Sequence, residues 1–154
     1  MDSVTLKLKH ALYAHCQQYV AQRIATARTA MQSAQDSANE ESKSSAGDKY
    51  ETGRAMMQIE RDRHAQQLAE AMKLKQELDA VDVEKSYASA QPGSLVVTDR
   101  GTFFVSISLG KIALGGQDYL VVSTASPIGA QLANRPVGYQ FTFNRMTYQI
   151  QAIH

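Results

Sequence analysis

Hydrophobic positions recur at spacings of three and four through the first part of the chain. Leu12, Cys16, Tyr19/Val20, Ile24, Ala27, Ala30/Met31, Ala34 and Ala38 fall on one stripe of a helix. Leu6 to Asn39 contains neither Pro nor Gly and is rich in Ala and Gln, so the pattern predicts one long helix over about 8–42. A Ser-rich stretch, Ser42 to Gly47, interrupts it. A second stripe follows in Leu68, Ala71/Met72, Leu74, Leu78 and Val81 and predicts a helix over about 48–80. Neither helix can bury its stripe alone, but joined by one short connector they can cover each other as an antiparallel hairpin. About 33 residues of helix span roughly 50 Å, and such a pair encloses little volume for a substrate. It suits spanning a distance or entering a cleft. Periodicity alone gives a dimerising coiled coil equal weight.

Beyond residue 90 the pattern changes to short β-branched and aromatic runs separated by turns. Ser94–Thr98 and Thr102–Ser108 flank a turn at Asp99-Arg100-Gly101; Lys111–Leu114 and Asp118–Ser123 flank Gly115-Gly116. Gln140–Phe143 and Thr147–Ile153 flank Asn144-Arg145-Met146. Between them Ser126-Pro127 opens a short helix, with proline where no internal amide bond is lost and serine as its cap. The expected product is a small antiparallel or mixed sheet packed on that helix, with Phe103, Ile107, Leu120, Val122, Phe141, Phe143 and Ile150 as its core. The fold class is α+β. A helical hairpin over 1–85, a linker over 86–91 and a sheet domain over 92–154 make up the chain.

Composition sharpens this division. Among the 154 residues, all three prolines, seven of nine glycines and seven of eleven aromatics lie beyond residue 90, which leaves the first ninety with no proline, few glycines and few large rings. Residues 1–90 carry 12 Lys/Arg against 13 Asp/Glu, and residues 91–154 carry 4 against 2. Neither part has the basic excess of a protein that grips phosphates, so strong independent nucleic-acid binding is not expected. No stretch approaches a membrane span, and a cytoplasmic protein with no membrane association is expected. Cys16, the single cysteine, can form neither an internal disulfide nor a cysteine zinc site, and reads as a helix-seam residue.

Candidate chemistry concentrates at the bend. Residues 36–51 hold Asp36, Glu40, Glu41, Asp48 and Glu51 against Lys43 and Lys49, a net of −3. The spacing of Asp48 and Glu51 can direct both carboxylates to one side of an early helical turn. The same pair can act as a capping box, in which Asp48 accepts from the first helical amides and Glu51 reaches back to the cap. Two carboxylates could also complete the shell of a Mg²⁺ held elsewhere. Gly53 weakens the start of the second helix by up to about 1 kcal/mol relative to Ala and favours an adjustable tip. His10, His15 and His64 read as surface or seam residues, Met56-Met57 as seam filler, and Ser126 lacks partners for nucleophilic catalysis. Arg100, Lys111, Arg135 and Arg145 could form a docking surface or serve as solubilising groups.

The assembled pattern resembles the bacterial Gre family of transcript-cleavage and elongation factors over nearly the whole chain. Ser126-Pro127-Ile128-Gly129, Leu132 and Val137-Gly138-Tyr139-Gln140-Phe141 resemble that family's C-terminal helix and final strands, and Gly47-Asp48-Lys49-Tyr50-Glu51 resembles its Gly-Asp-x-x-Glu tip. The resemblance implies a coiled-coil hairpin followed by a small FKBP-like docking domain. It implies RNA polymerase as partner, RNA approached only within that complex, and Mg²⁺ shared with the polymerase through Asp48 and Glu51. These two acids would help the polymerase cleave backtracked RNA, making the protein an accessory factor, and not itself an enzyme, that acts as a monomer. The chain departs from the family at Thr52-Gly53-Arg54-Ala55 and in its longer, Ser-rich connector, features that fit a divergent branch. A noncatalytic or inhibitory channel-binding protein is the alternative.

Overall fold

The structure is a computed structural model that describes the backbone of residues 1–44 and 48–154 and the side chains of residues 1–40 and 52–154. It is an α+β protein. Helices α1 (Ser3–Ser44) and α2 (Asp48–Asp79) precede β1 (Leu95–Thr98), β2 (Gly101–Val105), β3 (Gly110–Leu114), β4 (Gln117–Val122), α3 (Pro127–Leu132), β5 (Gln140–Phe143) and β6 (Met146–Ile153). The first helix starts five residues earlier than the predicted start at residue 8, because Asp2 caps it: the Asp2 carboxylate accepts the Thr5 amide at 2.7 Å.

Two compact units divide the chain, Met1–Gln17 with Glu77–His154, and Gln18–Gln76. This division does not follow the change in composition near residue 90, because the ends of both long helices group with the sheet. In the 18–76 unit the helices run antiparallel. Tyr19 and Arg23 share a groove with Gln67 and Glu70, and Ala30 and Ser37 share another with Met57 and His64. Val20, Ile24, Ala27, Ala34 and Ala71 are its buried apolar positions, all on the stripes read from the sequence.

The other unit is built on a six-stranded mixed sheet in the order β3-β4-β2-β1-β6-β5. Only β2 and β4 pair in parallel, with Phe103 beside Leu120 and Val105 beside Val122. Consecutive residues such as Leu95 and Val96, or Phe103 and Phe104, are buried, so both sheet faces are covered. One face carries Val96, Phe103, Val105, Val122 and Ile150 against Leu132 of α3. Leu95, Phe104, Tyr119 and Val121 belong to the opposite face.

Leu120 corrects the expected core. It is 42 % exposed, although Val122 on the same face is buried. Leu120 pairs with Lys111 of the edge strand β3, where a sheet face extends beyond the buried cluster, whereas Val122 ends β4 inside that cluster. The predicted return strand to Ser108 also stops early, at Val105. Ser106 and Ile107 leave the strand yet remain buried.

Candidate functional site

The end of α1 at Ser44 and the start of α2 at Asp48 define the tip. Asp48 and Glu51 therefore belong to the first turn of α2, three residues apart in its backbone. Their side chains, and with them both the capping and the metal-binding expectations, lie outside the described residues, as do Glu41, Lys43 and Lys49. Of the other tip-proximal acids, Asp36 accepts the Gln32 amide at 2.9 Å. Gly53 lies inside α2.

Among the described residues, no group of three or more His, Cys, Asp or Glu side chains could hold a metal ion. The histidines have separate engagements. His10 Nε2 meets Glu84 at 3.0 Å. His64 Nε2 meets Glu60 at 3.3 Å while its Nδ1 contacts Gln67 at 3.0 Å, and His15 is exposed. Met56 and Met57 split their roles: Met57 lines the groove opposite Ala34, and Met56 points outward with 61 % exposure.

Ser126 is fully committed to structure. Its hydroxyl donates to the Ser123 carbonyl at 2.7 Å and accepts the Gly129 amide at 3.1 Å, capping α3. Cys16 is buried, with Sγ 3.8 Å from Ser106 Oγ, and burial pushes its thiol above the ordinary value. A buried thiol of this kind holds its proton and is a poor nucleophile.

Lys9 is the residue that sequence reasoning missed. It is fully buried, and its ammonium donates to the Lys85 carbonyl at 2.9 Å and the His154 carbonyl at 3.3 Å. The Tyr87 ring lies 5.1 Å from Nζ. Tyr87 in turn donates to the Asp82 carbonyl at 2.8 Å. The Lys85 bond and the Tyr87 ring hold the segment after α2, which comprises the end of the predicted hairpin and the start of the predicted linker, against α1. Burial pulls the Lys9 ammonium below its ordinary range, with partial compensation from Asp82. The arrangement is a structural clasp, since all its acceptors are backbone carbonyls.

The clasp makes stability depend on alkaline pH in a definite direction. Between its lowered folded value and the ordinary 10.5, Lys9 is deprotonated when folded and protonated when unfolded, so its contribution to stability rises with pH. Cys16 and Tyr87 are raised by burial and act oppositely, losing stability as pH climbs above their ordinary values of 9.0 and 10.0. Lys9→Met removes only the rising component. Urea unfolding of both proteins from neutral pH to 10.5 should show wild type gaining relative to the variant as pH increases. A stability difference that stays constant across that range would show that Lys9 titrates alike in both states.

Comparison with protein-family models, curated proteins and solved structures finds no match. No helix among the described residues is long and apolar enough to cross a membrane.

Proposed function

We propose that this protein is a Gre-like transcription elongation factor that binds RNA polymerase and stimulates its Mg²⁺-dependent cleavage of backtracked RNA. The observation that carries this reading is the start of α2 at Asp48, which sets Asp48 and Glu51 in the first turn after the bend of a helical hairpin. The six-stranded sheet, the Ser126-Pro127-Ile128-Gly129 cap and the antiparallel helices of the 18–76 unit are consistent with an FKBP-like docking domain and a coiled-coil hairpin. The protein is read as a cytoplasmic monomer whose partner is the polymerase, with RNA met only inside that complex. Prolyl isomerase activity is not inferred from the proposed fold.

Two carboxylates are an incomplete but hard oxygen donor set, which fits a cation whose remaining ligands come from a partner. Magnesium held this way supplies a Lewis acid that eases formation of hydroxide from water and stabilises charge developing at phosphorus. Asp48 and Glu51 contribute negative charge at a fixed spacing and orient water by accepting its protons in hydrogen bonds. A spacing of three on a helix lets both carboxylates turn toward one side. Alone, the chain lacks a positioned RNA and a complete donor set, so free-standing nuclease activity is not expected.

The test is a complex of purified bacterial RNA polymerase stalled on a backtracked transcript. Added protein should bind it and increase Mg²⁺-dependent release of the RNA 3′ fragment. Absence of polymerase binding would eliminate the reading. Binding without release would support the second reading, a channel-binding protein that does not activate cleavage. Gly53 inside α2 and the Thr52-Gly53-Arg54-Ala55 departure favour that alternative.

A further inference from the structure

The sheet ends at β5, which pairs only with β6. The two-residue turn at Asn144 and Arg145 makes Phe143–Met146 and Phe141–Tyr148 the hydrogen-bonded pairs of this hairpin. The amides and carbonyls of Gln140 and Thr142 therefore point away from β6, and no further backbone partner meets them among the described residues.

Two arginines flank that edge. Arg145 occupies the turn, whereas Arg100 donates to the Thr147 carbonyl at 2.7 Å on the β1 side of β6, away from the edge. At the other end, the Arg135 guanidinium lies 4.4 Å from the Tyr139 ring centroid. Tyr139 stacks on Phe141, and Phe141 on Tyr148 at 5.0 Å, so Arg135 caps a rigid column of rings. No carboxylate pairs with these arginines among the described residues. Residues 91–154 contain only two acids: Asp118 neutralises Lys111 at the opposite sheet edge at 3.0 Å, and Asp99 accepts the Gln149 amide.

The turn itself carries a second signal. Arg145 has φ 64°, in the left-handed region where glycine is the unstrained choice for this kind of hairpin. The chain thus keeps an arginine in the turn at the end of its open edge at a cost in backbone strain.

We propose that the β5 edge is a docking strand for an extended acidic segment of a partner protein. The segment adds as a seventh strand, with one carboxylate meeting Arg135 and another meeting Arg145 at the far end. Charge complementarity selects an acidic partner. The alternating donors and acceptors of Gln140 and Thr142 select a peptide, because a phosphate backbone offers acceptors but no donors for the outward carbonyls. Exposed Val137 and Met146 provide apolar contact beside the two charged ends. The inference does not rest on the polymerase reading.

Isotope-labelled full-length protein should be titrated with acetyl-Glu-Val-Thr-Val-Thr-Glu-amide, with the same peptide carrying Lys for Glu, and with a single-stranded hexanucleotide. The acidic peptide alone should shift the Gln140 and Thr142 amides and slow their hydrogen exchange. R135E/R145E should weaken its binding by about tenfold or more. R145G should raise Tm by relieving the turn while weakening the peptide, a combination that a purely structural arginine would not give. Should the double reversal fail to fold, R145G alone keeps the comparison decisive. Unshifted Gln140 and Thr142 amides, equal binding of the lysine peptide, preferential binding of the hexanucleotide, or undiminished binding by R145G would each overturn the proposal.

Discussion

Gly129→Ala is expected to lower the unfolding free energy by about 3 kcal/mol or more. A Cβ at this position would lie 1.8 Å from the Ser123 carbonyl oxygen and 2.8 Å from Ser126 Oγ. Neither neighbour can easily give way. The Ser126 hydroxyl is already held between the Ser123 carbonyl and the Gly129 amide, and Ser123 follows directly from β4. To admit a methyl group α3 must shift, which breaks its cap and disturbs Leu132, a fully buried member of the sheet core. Ser126→Ala provides the scale, since loss of the cap alone should cost about 1 kcal/mol. Urea titrations followed by circular dichroism would rank the two variants. A Gly129→Ala protein within about 0.5 kcal/mol of wild type would mean that α3 is loosely seated.

The double variant D48A/E51A should retain polymerase binding and lose Mg²⁺-dependent transcript cleavage, on the order of 10- to 100-fold in initial rate. The proposed docking domain is untouched while both tip carboxylates disappear. A capping role predicts a different pattern, in which the main loss is helix at the start of α2. Asp48→Asn separates the two ideas, because Asn remains an effective cap but lacks the charge that a shared cation requires. D48N should therefore preserve helicity and affinity better than cleavage, and Glu51→Gln should also impair cleavage if its carboxylate contributes directly. Helicity, affinity and rate should be compared across a Mg²⁺ titration. Full cleavage by the double variant in an intact complex would exclude the acidic-tip mechanism.

The long helices were legible because their evidence is local and repeated. Leu12, Cys16, Val20, Ile24, Ala27 and Ala34 mark one stripe and each is buried, with Ala30, Met31 and Ala38 of the same stripe half-buried. Ser126 was legible for the same reason, since a cap and its amide are only three residues apart. Leu120 was not, because alternation identifies a strand's faces but not how far a partner layer extends over them. Phe104 and Val121 were missed because a sheet covered on both sides leaves no polar face to mark the pattern. Lys9 was hidden more deeply. A lysine in a polar helix reads as solvated, and the carbonyls that receive it are 76 and 145 residues away in sequence. At the tip the two acids could be placed on α2 by spacing, while any chemistry they perform depends on groups that a partner supplies.

The Lys9 clasp also bears on how this protein is made. Translation releases α1 before the sheet, yet the carbonyls that satisfy Lys9 belong to residues synthesised much later, one of them 145 positions on. Until then the ammonium stays hydrated and the neighbouring apolar side chains Leu12 and Cys16 lack the setting that finally buries them. The Gln18–Gln76 unit needs no such delay, because both of its helical strands emerge before the sheet. The opening turns of α1 would thus find their native places only after the hairpin unit that follows them in the chain. A ribosome paused shortly before the end of β6 would carry a protein whose hairpin can form while its opening helical turns still await closure.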